Sequence, residues 1–269
     1  MVLHGGHLPE FIEQHRWRTK KVLNRADFLV APSEYLAEKI GAFGYQITQI
    51  PNVIDLEDYA FRERSHIEPR LIWMRSFHSI YNPEMAIQVL TELRRTVPGA
   101  TLTMAGVDKG IEDKIKRMAA DACLSNAVTF PGFLDAAEKS REFAAADIYL
   151  NTNRIDNMPV SVVEACAFGL PVVATCVGGL PYLITNRENG LLVPSEGVTA
   201  MTSAVKELLD NPDLTRRISL GARRLAESSA WTRVRCDWEE LLAKVLVPRS
   251  KTNKKVLTKT NIPAENIKA

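Results

Sequence analysis

The chain has 269 residues, 46% hydrophobic and 25% charged, which suits a soluble globular protein of one large or two modest domains. Its formal charge of +2 is unevenly placed: residues 247–269 hold six Lys or Arg against one acid, leaving the rest at about −3, and a body without basic excess argues against nucleic-acid binding. No apolar run reaches the roughly 18 residues of a membrane span, and the start MVLHGGHLPEF has no secretory-signal pattern, so a cytoplasmic protein is expected. Cys123, Cys166, Cys176 and Cys236 form no CxxC pair and lie in apolar stretches, as buried reduced thiols do.

In chain order, a helical stretch near 8–23 precedes a short strand, DFLVAP at 27–32. A helix from Ser33 to about Phe43 and a strand near QITQIP (46–51) follow. Two strands and two helices are too few for a complete doubly wound domain, so these residues belong either to the main sheet or to the end of a separate domain. From Pro69 the pattern becomes regular: strand 71–76, amphipathic helix 84–97, strand 100–106, helix 111–124, strand 127–132 and strand 145–152. Helix 159–169, stopped by Gly169, leads to strands at 171–175 and 190–194, and helices at 198–210, 212–229 and 231–246 close the body. Strands linked by helical crossovers imply an α/β fold with a doubly wound parallel sheet covered on both faces. After Pro248 the sequence is polar and aperiodic, which predicts a disordered basic tail.

The segment 150–194, LNTNRIDNMPVSVVEACAFGLPVVATCVGGLPYLITNRENGLLVP, concentrates the chemistry. A strand ends near Thr152, a loop carries Asp156, and Pro159 stands where a helix begins, a position its fixed φ suits. In an open α/β sheet such a turn lies at the ligand-binding edge. Free N–H groups at the helix start, around Val160 and Ser161, suit a phosphate. Glu164, a turn further on, can accept hydrogen bonds from a ribose diol. Read alone, Asp156 could instead cap a loop, and Glu164 could be a solvated helix residue.

Together these residues resemble the donor-binding signature of glycosyltransferase family 4, which has the GT-B fold of two Rossmann-like domains. That signature is an acid, seven residues and Glu-Ala, then Gly-x-Pro-Val-Val, a Gly-Gly pair and an Asn-Gly-Leu-Leu-Val strand. The chain supplies Asp156, Glu164-Ala165, Gly169 to Val173, Gly178-Gly179 and Asn189 to Val193. The resemblance implies that Glu164 binds the ribose and that Asp156 contacts hydroxyls of the donor sugar. The family usually has Glu at the latter place, so the carboxylate is set back by one bond, about 1.5 Å. It also implies an Arg after the first strand and a Lys six residues on, both facing the leaving diphosphate. Arg75 fills the first place, but Tyr81 stands at the second. Lys109, on the same sheet edge, is the candidate replacement, with His78 a weaker one. Phe133 and Leu134 match the position that packs on the nucleobase, and His4 resembles a His that approaches the donor sugar across the cleft. His4 and His7 lack a third nearby metal ligand, and the family's transfer is metal-independent.

The implied organisation is a partial acceptor-side domain over 1–68, a donor-binding domain over 69–229, a crossing helix over 230–246 and the tail over 247–269. The first residues match a point more than halfway through the family's first domain, as a late start codon, a split gene or a gene remnant would explain. The implied activity is transfer of a sugar, with retention, from a UDP- or GDP-type donor to a hydroxyl of a glycan or lipid-linked acceptor, with no further cofactor. The rivals are a non-catalytic nucleotide-sugar-binding remnant, an epimerase on the same fold, and a half-enzyme that needs a partner chain. The basic tail suggests either a peripheral contact with an acidic membrane surface or simple solvation.

Overall fold

The computed structural model describes residues 1–246; the expected tail lies outside the described residues. The first part comprises α1 (Leu8–Gln14), α2 (Arg16–Leu23), β1 (Leu29–Ala31), α3 (Glu34–Gly41) and β2 (Ile47–Gln49). The helix expected over 8–23 is therefore two helices, because the backbone leaves helical geometry at His15 (φ −123°, ψ 37°). β1 and β2 pair in parallel as their own two-stranded sheet, and Val2 bridges to Val30 on the other side of β1. Ser33 accepts a hydrogen bond from the Leu36 N–H at 3.2 Å, the expected N-cap of α3.

The second part is built on a six-stranded, wholly parallel sheet. Its strands are β3 (Arg70–Met74), β4 (Thr101–Ala105), β5 (Val128–Gly132), β6 (Ile148–Asn151), β7 (Val172–Thr175) and β8 (Leu191–Val193). Their order, β5-β4-β3-β6-β7-β8, reverses direction between β3 and β6. That is the doubly wound arrangement, and the reversal opens a crevice beyond the strand ends.

Alternation along β3 explains why the sheet is covered on both faces. Leu71 and Trp73 enter a core with α4 (Pro83–Leu93), α5 (Glu112–Asp121) and α9 (Val198–Asp210). Ile72 and Met74 enter a second core with Phe143 of α6 (Ala136–Ala145) and most of α7 (Val160–Ala167). Leu180 of α8 (Leu180–Leu183) and Ala222 and Ala226 of α10 (Pro212–Ser228) complete that second core. Trp73 is fully buried, and its Nε1 donates to Thr152 Oγ1 at 2.9 Å, which ties the end of β3 to that of β6. The last helix, α11 (Trp231–Leu246), lays Val234 and Leu241 on Val30 and Ile50 of the first part.

α6 and α8 were not foreseen. The cysteines also differ from expectation: all four are free, but only Cys166 is buried. Cys123 occupies a left-handed turn after α5 (φ 57°), Cys176 follows β7 on a loop, and Cys236 lies on the outer face of α11. An apolar sequence neighbourhood does not bury a residue in a turn or on a helix's solvent side. Among the described residues no helix is long and apolar enough to cross a membrane.

Candidate functional site

Arg75 leaves β3 directly into the crevice. Its N–H donates to the Ala105 carbonyl at 3.1 Å, and Gly106 at the end of β4 passes so close that a Cβ there would lie 1.9 Å from the Arg75 carbonyl. Only glycine fits, since φ at Gly106 is also +151°. The guanidinium is fixed on three sides. Nη2 is 2.6 Å from Asp156 Oδ2, Nη1 is 3.4 Å from Ser161 Oγ, and the group lies over the Tyr81 ring at 4.0 Å from its centroid. Tyr81, which takes the expected lysine's place, thus meets the site by supporting Arg75 through a cation–π contact.

Asp156 is equally constrained. Oδ2 also accepts from Asn153 Nδ2 at 2.6 Å, and Oδ1 accepts from the Asn157 N–H at 2.8 Å. Burial pushes its pKa above the ordinary value, against the opposing pull of Arg75 and of the two asparagine donors. The loop is clamped from below by the glycine pair. The Gly179 N–H donates to the Asp156 carbonyl at 2.9 Å. A Cβ on Gly178 (φ +53°) would lie 2.0 Å from that carbonyl, and one on Gly179 would lie 1.9 Å from the Asn157 carbonyl. The Gly-Gly motif therefore exists to let one loop rest on another.

Pro159 stands at the N-cap of α7 with φ −68° and ψ 117°, and the N–H groups of Val160 and Ser161 open the helix without helical acceptors. Val160 is exposed. Ser161 Oγ lies 2.9 Å from Tyr149 Oη, which also reaches the Met74 carbonyl at 3.1 Å. One turn further, Glu164 is buried, and its Oε1 accepts from Lys139 of α6 and, at 3.1 Å, from Tyr59 Oη.

Arg75, Tyr81, Asp156, Val160 and Ser161 are thus gathered at the strand-order reversal, with Glu164 on the same helix. His4 joins from the first part. It lines, with Gly6, Tyr81, Asp156 and Met158, a cleft of about 510 Å³. Gly6 approaches the loop so closely that a Cβ would be 3.1 Å from the Asp156 carbonyl carbon. The two sides are further joined by Ser33 to Asn157, Asn52 Nδ2 to the Met158 carbonyl at 2.8 Å, and Tyr182 Oη to Glu38 at 2.7 Å. Lys109, Phe133 and Leu134 lie beyond β4 and β5, outside this cluster. Lys109 is exposed with no side-chain partner among the described residues, Phe133 is 73% exposed, and Leu134 packs on the second core. His78 caps its own turn, accepting from the Ile80 N–H at 3.1 Å. Among the described residues no group of three or more His, Cys, Asp or Glu is placed to hold a metal.

Sequence reasoning missed Tyr59, Lys139, Tyr149 and Asn153. A signal existed for Lys139: Asp135 and Glu138 form a capping box, and that Asp-x-x-Glu pattern announces a helix that carries the next residue.

The model of the family described as glycosyl transferases group 1 matches residues 60–225. The chain is 27% identical over 231 residues to a GDP-mannose-dependent alpha-(1-6)-phosphatidylinositol monomannoside mannosyltransferase of Mycolicibacterium smegmatis, covering 78% of this chain and 60% of that protein. It is 29% identical over 208 residues to a glycogen synthase of Mycobacterium tuberculosis, covering 75% of this chain and 49% of that one. The chain thus spans about half the length of these relatives. Among solved structures, sucrose-phosphate synthase from Thermosynechococcus elongatus superposes with a TM-score of 0.78 at 19% identity, over 91% of this chain and 67% of that one. Anabaena HepE, in complex with UDP, gives 0.78 at 20% identity, over 90% and 71%. Those likenesses establish the GT-B type of fold. With the family match extending over more than half of its residues, the chain belongs to the group 1 glycosyl transferases.

Proposed function

We propose that this chain binds a nucleoside diphosphate sugar in the crevice between β3 and β6 and takes part in its transfer, with retention, to an acceptor hydroxyl. The observation that carries the reading is the arrangement of Arg75. A guanidinium held between a carboxylate and an aromatic ring, beside an uncapped helix start, is a preorganised diphosphate site. In this reading the bond from the anomeric carbon to the diphosphate oxygen breaks toward Arg75 and the N–H groups of Val160 and Ser161. The acceptor oxygen bonds the same face of the sugar, and its proton passes to the departing phosphate. Glu164 receives the ribose hydroxyls, and His4 and Asp156 face the sugar from opposite sides of the cleft. Lys109 is available to the diphosphate and Phe133 and Leu134 to the base. The acceptor is a glycan or lipid-linked hydroxyl, and a peripheral contact with a membrane surface belongs to the same reading. One relative's name carries GDP-mannose and one neighbour's structure holds UDP, so both bases enter the test.

Titration calorimetry with UDP and GDP on the wild type and Glu164→Ala tests the site. Binding of one nucleotide that weakens at least tenfold in the variant supports it, and a folded wild type that binds neither refutes it. Release of nucleoside diphosphate from the matching donor, followed by NMR of the anomeric product, then tests transfer and retention. A second reading, binding without turnover, draws on the full occupation of both Asp156 oxygens by protein donors. Nucleotide binding with no release under any acceptor would favour it.

A further inference from the structure

Glu164 is 8% exposed. Burying a carboxylate is costly unless it is paired and hydrogen-bonded. Both needs are met at a single oxygen. Oε1 takes the Lys139 ammonium and the Tyr59 hydroxyl, whereas Oε2 has no hydrogen-bond partner among the described residues. Each donor is itself anchored. Lys139 sits in the first turns of α6 behind the Asp135–Glu138 capping box. Tyr59 meets Phe168 edge-on at 5.4 Å, and its carbonyl accepts from Arg223 at 3.3 Å. Burial, and then the Glu164 charge, push the Tyr59 hydroxyl's pKa up, so it remains a donor at any physiological pH.

We infer that Lys139 and Tyr59 are positioning residues for ribose recognition, holding one oxygen of Glu164 so that the other is left to accept the nucleotide's diol. The inference rests on the proposed donor site. A simple tie between α6 and α7 would contribute to stability alone. A positioning role changes how well the protein distinguishes a ribose from a sugar that lacks its hydroxyls. It predicts that the lysine matters for that distinction even though it touches no diol itself.

The test compares affinities for UDP and GDP with those for their 2′,3′-dideoxy counterparts, in the wild type, Lys139→Gln, Tyr59→Phe and Lys139→Arg. A wild-type preference of about tenfold or more for the ribose form is expected from two hydrogen bonds to a charged acceptor. Lys139→Gln and Tyr59→Phe lower that ratio severalfold, and Lys139→Arg restores most of it. If Lys139→Gln fails to fold, Tyr59→Phe and Lys139→Arg carry the comparison. A ratio unchanged in folded variants, or absent from a wild type that binds nucleotide, overturns the inference. A wild type that binds neither nucleotide instead overturns the donor-site reading beneath it.

Discussion

Replacing Arg75 by Met, Asp156 by Asn, and both together separates what their ion pair does for the fold from what it does for the ligand. The two side chains are 16% and 14% exposed and 2.6 Å apart. Removing the cation leaves a covered carboxylate with only Asn153 and the Asn157 N–H. Breaking such a pair from one side costs about 3–5 kcal/mol. The lower end applies here, since the Asp156 pKa is already raised and the group can take a proton. Arg75→Met should therefore lose about 3 kcal/mol in urea unfolding. The double variant buries no lone charge and should recover about 2 kcal/mol of that loss. Ligand affinity follows a different pattern. A cation about 4 Å from a phosphate is worth roughly 4 kcal/mol at an effective dielectric of 20, or about a thousandfold in Kd. Arg75→Met and the double variant should both lose about that much nucleoside diphosphate affinity by calorimetry, whereas Asp156→Asn retains most of it. A double variant as unstable as Arg75→Met, or an Arg75→Met that binds as tightly as wild type, refutes the reasoning.

Because burial raises the Asp156 pKa, the folded protein holds that proton more tightly than the unfolded chain. The group's contribution to stability is complete below its unfolded pKa, near pH 4, and is lost as the pH rises through the folded value. Wild type should lose melting temperature relative to Asp156→Asn as the pH is raised through that interval; a relative gain would show that Arg75 outweighs burial. Asp147 is fully buried and paired with Arg62 at 2.8 Å and Arg70 at 2.6 Å, at the opposite ends of β3 and β6. Asp147→Ala should cost about 3–5 kcal/mol in denaturant unfolding while nucleotide affinity, measured on the folded fraction, stays within about twofold. A large loss of affinity would mean that the two sheet edges are coupled. Gly178→Ala puts a Cβ 2.0 Å from the Asp156 carbonyl at a positive φ. It should cost about 2–4 kcal/mol and weaken nucleotide binding as well, whereas Gly99→Ala, whose Cβ meets nothing within 4 Å, should do neither.

Much of the six-stranded sheet was legible because strands such as β3, β6 and β7 are buried on both faces and read as short apolar runs, whereas β5 is largely exposed. The close loop contacts of Gly178 and Gly179 stand behind a motif that the family resemblance had singled out, as it had Asp156 and Glu164, whose side chains the fold holds partly or wholly buried. α6 was not: in AAEKSREFAA only Phe143 is buried, so the helix shows no apolar stripe to announce it. With it went Lys139, the partner of Glu164. The support of Arg75 by Tyr81 was hidden for another reason. The sequence displays a missing cation at position 81, and only the fold shows that the ring there lies beneath the cation that remains.

Besides the Tyr182–Glu38 bond and the packing of α11 on Val30 and Ile50, three close contacts between the first part and the second fall on neighbouring residues. Asn157 meets Ser33, Met158 meets Asn52, and Gly6 rests on Asp156, so one three-residue loop both carries the Asp156 carboxylate and abuts the first part. Swinging the two parts open must pull on the same backbone that aims the Asp156 carboxylate.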